Sequence, residues 1–277
     1  MQGKVVGAVL FGMSLPLAAQ ADKGADGFID NWFAMASRSQ AEQPHWITPL
    51  ATVTPRLEQE LRTDYLHEHL PNDTRLDNYG NGKGLEIIPT ENTEVLLNVP
   101  PYEQHGGASQ ENGFGDFSML AKYRFLSANE EHGNYILTGF MGVSVPTGAP
   151  PNGGQAVTLT PTIAGGMGFG DFDFQSTLGI QLPADRVASV GRTISWNTAL
   201  QYHLDHYFWP EMEVNYTHFI GGKNDNKTQV LLTPGIVLGK FVIRNRLGVV
   251  FGAGYQVAAT TFKTYDNAVV ATARMPF

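Results

Sequence analysis

The chain has no cysteine, which removes disulfides, thiolate metal sites and thiol nucleophiles together. A chain without thiols also crosses an oxidising compartment without mispairing. Charge is sparse, at 16% of residues, and cations are the minority, with 18 Lys and Arg against 26 Asp and Glu for a net charge of -8. No basic surface exists on which nucleic acid could spread. Beyond the N-terminus no apolar run reaches the roughly 20 residues a helical span requires, and mean hydropathy is -0.16, so a bundle of membrane helices is excluded. If this chain enters a membrane, it enters as strands.

Glycine and aromatic residues are plentiful instead: 31 Gly, 16 Phe and 10 Tyr suit a sheet-rich chain with tight turns and aromatics at membrane interfaces. Residues 1 to 21 have the form of an export signal, with Lys4 in a short charged start, an apolar stretch from Val5 to Ala19, and the small-residue site Ala19-Gln20-Ala21. That stretch is too short for a membrane anchor. Over residues 22 to 46, Phe28, Trp32 and Met35 or Ala36 recur at helical spacing ahead of a polar Ser37 to Gln43. The spacing predicts a short amphipathic helix and a linker, which would plug the barrel, lie at its rim, or form a loosely ordered extension.

From residue 47 to 277 the pattern has a period of two. Thr52 to Asp64 sets Val53, Pro55, Leu57 and Leu61 against Arg56, Glu58, Glu60, Arg62 and Asp64. Later segments repeat it: Phe117, Met119, Tyr123 and Phe125 against Lys122 and Arg124; Phe172, Phe174 and Leu178 against Asp173 and Gln175; Met212 and Val214 against Glu211 and Glu213; Phe241, Ile243, Leu247 and Phe251 against Arg244 and Arg246. The last segment opposes Val269, Ala271, Ala273, Met275 and Phe277 to Thr272 and Arg274. These runs span about 9 to 15 residues, where strands of soluble domains stop near 5 or 6, and so match the thickness of a bilayer. The expected fold is all-β, an antiparallel up-and-down transmembrane barrel. About twelve strands begin near residues 49, 84, 93, 114, 134, 156, 171, 191, 208, 228, 240 and 263. Short turns alternate with longer loops at 67–83, 103–113, 146–156, 184–191, 221–228 and 257–263, the alternation expected between a periplasmic and an outer rim.

The residues that carry chemistry are the inward charges: Arg56, Glu58, Glu60, Arg62, Asp64, Lys122, Arg124, Asp173, Glu211, Glu213, Arg244, Arg246 and Arg274. They are expected to line the lumen, either as a selective constriction or as solvated pairs between strands. No catalytic residue is expected, because no G-x-S-x-G elbow occurs and no segment matches the Asn-His-x-Ser-Asn-Gly type of an outer-membrane phospholipase. Neither cofactor nor metal is expected. His203, Asp205 and His206 are a ligand-like trio but suit an ordinary polar turn. Gly165-Gly166-Met167-Gly168-Phe169-Gly170 opens no helix, so close strand approach or barrel bending explains it better than a phosphate cradle.

Gly84-Leu85-Glu86-Ile87-Ile88-Pro89, Pro100-Pro101-Tyr102, Gly115-Asp116-Phe117 entering Lys122-Tyr123-Arg124-Phe125, and Gly170-Asp171-Phe172 give the chain from about residue 50 onward a family likeness. It resembles the outer-membrane transporter-like barrels named for the meta-cleavage pathway of phenol degradation. The resemblance implies an exported barrel in the outer membrane of a Gram-negative bacterium, admitting small, aromatic or hydrophobic compounds. No site residue is carried over by it. Phe277 and Met275 fit the terminal signal read by the barrel-assembly machinery, while Thr272 stands where such barrels commonly have glycine. The expected partners are small solutes, outer-membrane lipid and that machinery. A passive channel is the leading function, against a closed structural or adhesion barrel acting through its loops and, more remotely, a membrane-embedded lipid hydrolase.

Overall fold

The computed structural model describes residues 23–277 apart from 72, 108 and 109; the expected export signal lies outside the described residues. Helix α1 (Lys23–Ala41) comes first and a strand-free segment follows it. The wall begins with β1 (Glu60–His69), β2 (Arg75–Gly80), β3 (Gly84–Thr90), β4 (Thr93–Asn98), β5 (Tyr102–His105), β6 (Gly113–Phe114) and β7 (Phe117–Ala128). It continues through β8 (Tyr135–Val145), β9 (Thr158–Phe169), β10 (Phe172–Pro183), β11 (Arg192–Tyr202) and β12 (Phe208–Ile220). It ends with β13 (Thr228–Arg244), β14 (Leu247–Ala258) and β15 (Asn267–Pro276).

These segments form one antiparallel cylinder. Strand β15 returns to β1 in register from Glu60 opposite Pro276 to His69 opposite Asn267, so no edge is left open. Three staves are interrupted. Strand β1 pairs with β2 over Asp64–His69 and with β3 through Glu60 and Leu61, so β2 and β3 continue one another across residues 81–83. The same holds for β4 with β5 across Val99-Pro100-Pro101, and for β6 with β7 across Gly115-Asp116. Proline supplies no N–H to a ladder, which explains the middle break. Fifteen segments therefore build twelve staves, the closed twelve-stranded barrel that the sequence pattern implies.

Alternation decides which side chains face lipid. Leu61, Phe172, Leu178, Trp196 and Phe251, each about half exposed, point outward, while the residues on the other parity are largely buried. A belt of this extent needs an apolar solvent. Aromatic pairs sit at its two heights. Tyr65, Tyr79, Tyr102 and Phe114 form a ladder of ring contacts at 5.2 to 6.5 Å near the long-loop rim. Phe172 with Tyr202 (4.6 Å) and Tyr207 with Phe241 (5.0 Å) lie near the short-turn rim. At that rim β9 and β10 are joined by Gly170-Asp171 with Gly170 at φ +60, a conformation that glycine adopts without strain.

Two expectations about strands are corrected. The wall starts at Glu60, not near residue 49, so the barrel does not begin at residue 47 and the alternation over Thr52 to Gln59 belongs to no strand. Pro49 and Pro55 interrupt residues 47–59, and the backbone there finds partners among side chains of the wall. The stretch read as one strand from 240 is split: β13 runs through Arg244, Asn245 (φ 50) turns the chain with Arg246, and β14 starts at Leu247. The apolar alternation continues through the turn and conceals it. The expected loop 67–83 is mostly the β1–β2 hairpin, turning at residues 70–74.

Candidate functional site

Helix α1 lies across the short-turn rim. Trp32, Ala36 and Ser39 recur at spacings of four and three, which places them on one side of the helix. Trp32 Nε1 donates to the Ile88 carbonyl at 2.6 Å, and Ser39 Oγ donates to the Glu91 carbonyl at 2.6 Å. Ala36 packs with Leu57 and Ile88 in a small buried cluster. Arg124 on β7 donates to the carbonyls of Ser39 (2.7 Å) and Glu91 (2.8 Å), tying the helix end to the rim. On the opposite side Arg246 donates to Phe33 O at 2.8 Å and bonds Ser37 Oγ, with its guanidinium 5.1 Å from the centre of the Phe33 ring.

After α1 the chain turns into the lumen and comes back. Gln43 clamps the neck of this excursion: its Nε2 donates to Leu57 O at 2.8 Å and its Oε1 accepts Leu57 N–H at 2.9 Å. Residues 43–57 thus form a compact Ω-loop with its two ends together. Most of it is buried, and only Ala51 and Val53 at the tip are half-exposed beyond His45 at the neck.

A loop buried inside a barrel has no strand neighbours, so every main-chain group needs another partner. Inward charges and polar side chains of the wall supply many of them. On β12, Glu213 accepts the N–H groups of Ala51 at 2.7 Å and Thr52 at 2.6 Å, and Glu211 accepts Leu50 N–H at 3.0 Å. Carbonyls of the same turn face β1 and β15: Arg62 donates to Leu50 O at 2.7 Å, and Arg274 donates to Pro49 O at 2.8 Å and to Thr48 O. Asp64, bonded to Arg62 at 2.7 and 2.9 Å and to Thr272 at 2.6 Å, aims that guanidinium. On the return limb Thr138 donates to Pro55 O at 2.6 Å, Lys122 to Arg56 O at 3.1 Å, and Glu94 accepts Glu58 N–H at 2.6 Å. Gln175 donates to Ile47 O at 3.0 Å and accepts from Thr54 at 2.7 Å. Carboxylates hold N–H groups and cations hold carbonyls, the charge-assisted arrangement that makes such bonds strong.

Apolar anchors complete the fit. Inward positions 235, 252 and 254 are glycine, and a Cβ on any of them would come within 2.5 to 2.7 Å of the Leu50 methyl groups. These glycines form a socket for Leu50. Gly166 and Gly168 do the same for Trp46, whose indole would lie 2.6 and 2.8 Å from an added Cβ. The glycine cluster on β9 is thus a close approach, to the loop and, at Gly166, also to the neighbouring strand, where an added Cβ would come 2.8 Å from the Phe174 carbonyl of β10. Trp46, Ile47 and Leu50 join Ile136, Trp209, Val237, Val250 and Val270 of the wall in one buried cluster.

The thirteen charges expected on one lumen face divide three ways. Glu60, Arg62, Asp64, Lys122, Asp173, Glu211, Glu213 and Arg274 are inward and buried, and Arg124 is inward at the rim. Arg56 and Glu58 are inside the barrel but ahead of the wall, Arg56 on the loop and Glu58 just past its neck, paired with each other at 3.0 Å. Arg244 is a correction: it is exposed at the end of β13, because the turn at Asn245 takes it out of the alternation. Arg246 follows that turn and reaches the helix, so it too leaves the wall pattern. Glu86 and Glu94, buried on β3 and β4, are inward charges that the pattern search passed over. Two Thr-Pro pairs, Thr48-Pro49 and Thr54-Pro55, were the signal that residues 47–59 could not be an ordinary strand.

Near the neck, His45 donates its backbone N–H to Glu130 at 2.6 Å and its ring Nδ1 lies 2.7 Å from the same carboxylate. Partial burial pushes the Glu130 carboxyl up, but the hydrogen bonds from His45 outweigh it and hold the group below its usual value. His203, Asp205 and His206 do not converge: the His203 ring stacks on Trp209 (4.0 Å, 7°), and Asp205 Oδ1 accepts the backbone N–H of His206 at 2.7 Å.

No protein-family model matches the chain, and no curated protein matches it in sequence. In structure it is similar to an outer membrane channel from Pseudomonas putida F1, with a TM-score of 0.59 and 13% identity over 84% of this chain and 100% of that one. It also aligns with the translocator domain of the autotransporter NalP from Neisseria meningitidis, with a TM-score of 0.47 and 11% identity over 92% and 97% of the two chains. The first likeness shows a shared barrel fold.

Proposed function

We propose that the protein is an outer-membrane channel of a Gram-negative bacterium whose conduction is controlled by the internal Ω-loop, and that it admits small, aromatic or hydrophobic compounds without catalysing a reaction. One observation carries this reading. The lumen is filled by a loop held by wall side chains and not by strand pairing, so the loop can leave without opening the cylinder. In this orientation α1 and the short turns face the periplasm and the long loops face outward. The barrel likeness to a channel and the family resemblance support the same class of activity.

A closed structural or adhesion barrel is favoured by the same occlusion, and one experiment separates the two. The chain has no native cysteine, and Leu50 packs directly against the Cβ position of Gly252, so Leu50→Cys with Gly252→Cys can tether loop to wall. In planar bilayers the oxidised double variant should be silent and the reduced form should conduct. Equal conductance in both states would show that solutes do not pass by displacing the loop. Silence in both states, and in the unmodified protein, would favour the closed barrel.

A further inference from the structure

A cavity of about 590 Å³ lies at the short-turn rim between α1, the Ω-loop and the adjoining ends of β12 to β15. It has the size of a small-molecule site and more than accommodates a single aromatic ring. Four side-chain cations line it, Arg56, Lys240, Arg246 and Arg274, against two carboxylates, Glu58 and Glu60. Glu58 is already paired with Arg56 at 3.0 Å. The Lys240 ammonium is exposed and makes no hydrogen bond or ion pair among the described residues.

The lining also holds polar atoms that the protein leaves without partners. Arg56 Nε and Arg246 Nε are buried donors with no acceptor. Buried unpaired donors are costly, and two on the lining residues of one cavity mark a place where an acceptor belongs. Gln59 Oε1 and Glu60 Oε1 are unpartnered acceptors of the same lining. A flat surface completes the cavity. The half-exposed His203 ring covers buried Trp209 in a nearly coplanar stack, with centres 4.0 Å apart, and a planar ligand can extend it.

We propose that this vestibule is a binding site for single-ring aromatic carboxylates: the ring stacks on His203 and the carboxylate is taken by Lys240 and the unpartnered Arg donors. The Gln59 and Glu60 acceptors accommodate a hydroxyl on the ring. This deepens the channel reading by giving its solute a charge, and it rests on that reading only for transport, because binding at the vestibule needs no open lumen.

The test is calorimetric titration of the purified full-length barrel in detergent micelles with benzoate, its neutral isostere benzamide, and acetate. Benzoate should bind at least tenfold more tightly than either comparator. Lys240→Gln, which removes no hydrogen bond or salt bridge among the described residues, should weaken benzoate about tenfold and leave benzamide unchanged. Equal affinity for benzoate and benzamide, or a Lys240→Gln variant with unchanged preference, would overturn the proposal. The titration is repeated on the oxidised Leu50→Cys/Gly252→Cys protein. Benzoate binding there supports the vestibule site even if no variant conducts, which is the result that defeats the channel. Conduction without benzoate preference defeats the site and leaves the channel standing.

Discussion

Glu213 is the wall residue whose loss should most change the loop. Its carboxylate is fully buried and accepts two main-chain N–H groups at 2.7 and 2.6 Å. Hydrogen bonds to a charged group are each worth about 1.5–3 kcal/mol. Part of that gain offsets the cost of holding a carboxylate in the barrel interior, next along the face to Glu211, a cost that vanishes with the side chain. Glu213→Ala should therefore weaken loop retention by about 2–3 kcal/mol, which at about 1.4 kcal/mol per tenfold raises the loop-out population roughly 30- to 140-fold. Single-channel recording reads this as open probability, with heat-modifiable gel mobility confirming that each variant is a folded barrel. Glu213→Gln keeps one acceptor oxygen and should fall between the two. Thr177→Ala removes a buried inward side chain that has no bond to the loop and should change nothing. Should Glu213→Ala and Thr177→Ala show the same open probability as the unmodified protein, the claim that side chains of the wall keep the loop in place fails.

Filling the Leu50 socket should act in the same direction: Gly235→Val places carbon where the Leu50 methyl now sits, and overpacking of about 1–3 kcal/mol should raise open probability by about tenfold or more. Wild-type opening statistics in a folded Gly235→Val barrel would argue against the socket. The His45–Glu130 latch should depend on pH with a definite sign. Because the folded Glu130 carboxyl titrates below its unfolded value of about 4.3, its contribution is fully present above that value and is lost as pH falls through the depressed one. Proteolysis of the α1 segment should therefore rise only below about pH 4. A midpoint above pH 5, or one unmoved by Glu130→Gln, would exclude the latch.

Much of the wall was legible because a bilayer imposes a strict period of two over long runs. Strands beginning at Gly84, Thr93, Gly113, Tyr135, Thr158, Phe172, Arg192, Phe208 and Thr228 fall within a few residues of where the alternation places them. The loop was not legible, since Thr52 to Gln59 alternates by coincidence and leads without a gap into the genuine alternation of β1. Proline at positions 49 and 55 contradicted the strand, and only the closed cylinder shows where such a segment goes. The inward charges were legible as inward but not in their role. Parity reports which face a side chain occupies; it does not report that Glu213 and Arg62, 151 positions apart in sequence, meet the N–H and the carbonyl of the same peptide group in one turn. Arg244 and Arg246 were misplaced because a two-residue turn between apolar strands leaves the hydrophobic count unbroken.

The wall takes hold of its occupant chiefly by the peptide backbone, with Leu50 and Trp46 as the main exceptions that need glycine recesses. The side chains of Ala51 and Val53 at its tip, part-exposed and without a hydrogen bond to the wall, are thereby released from any duty in retention. The barrel is in this sense a holder for an exchangeable cartridge: a library varied at positions 51 and 53 would be expected to seat as the parent does, and to differ in what it lets through.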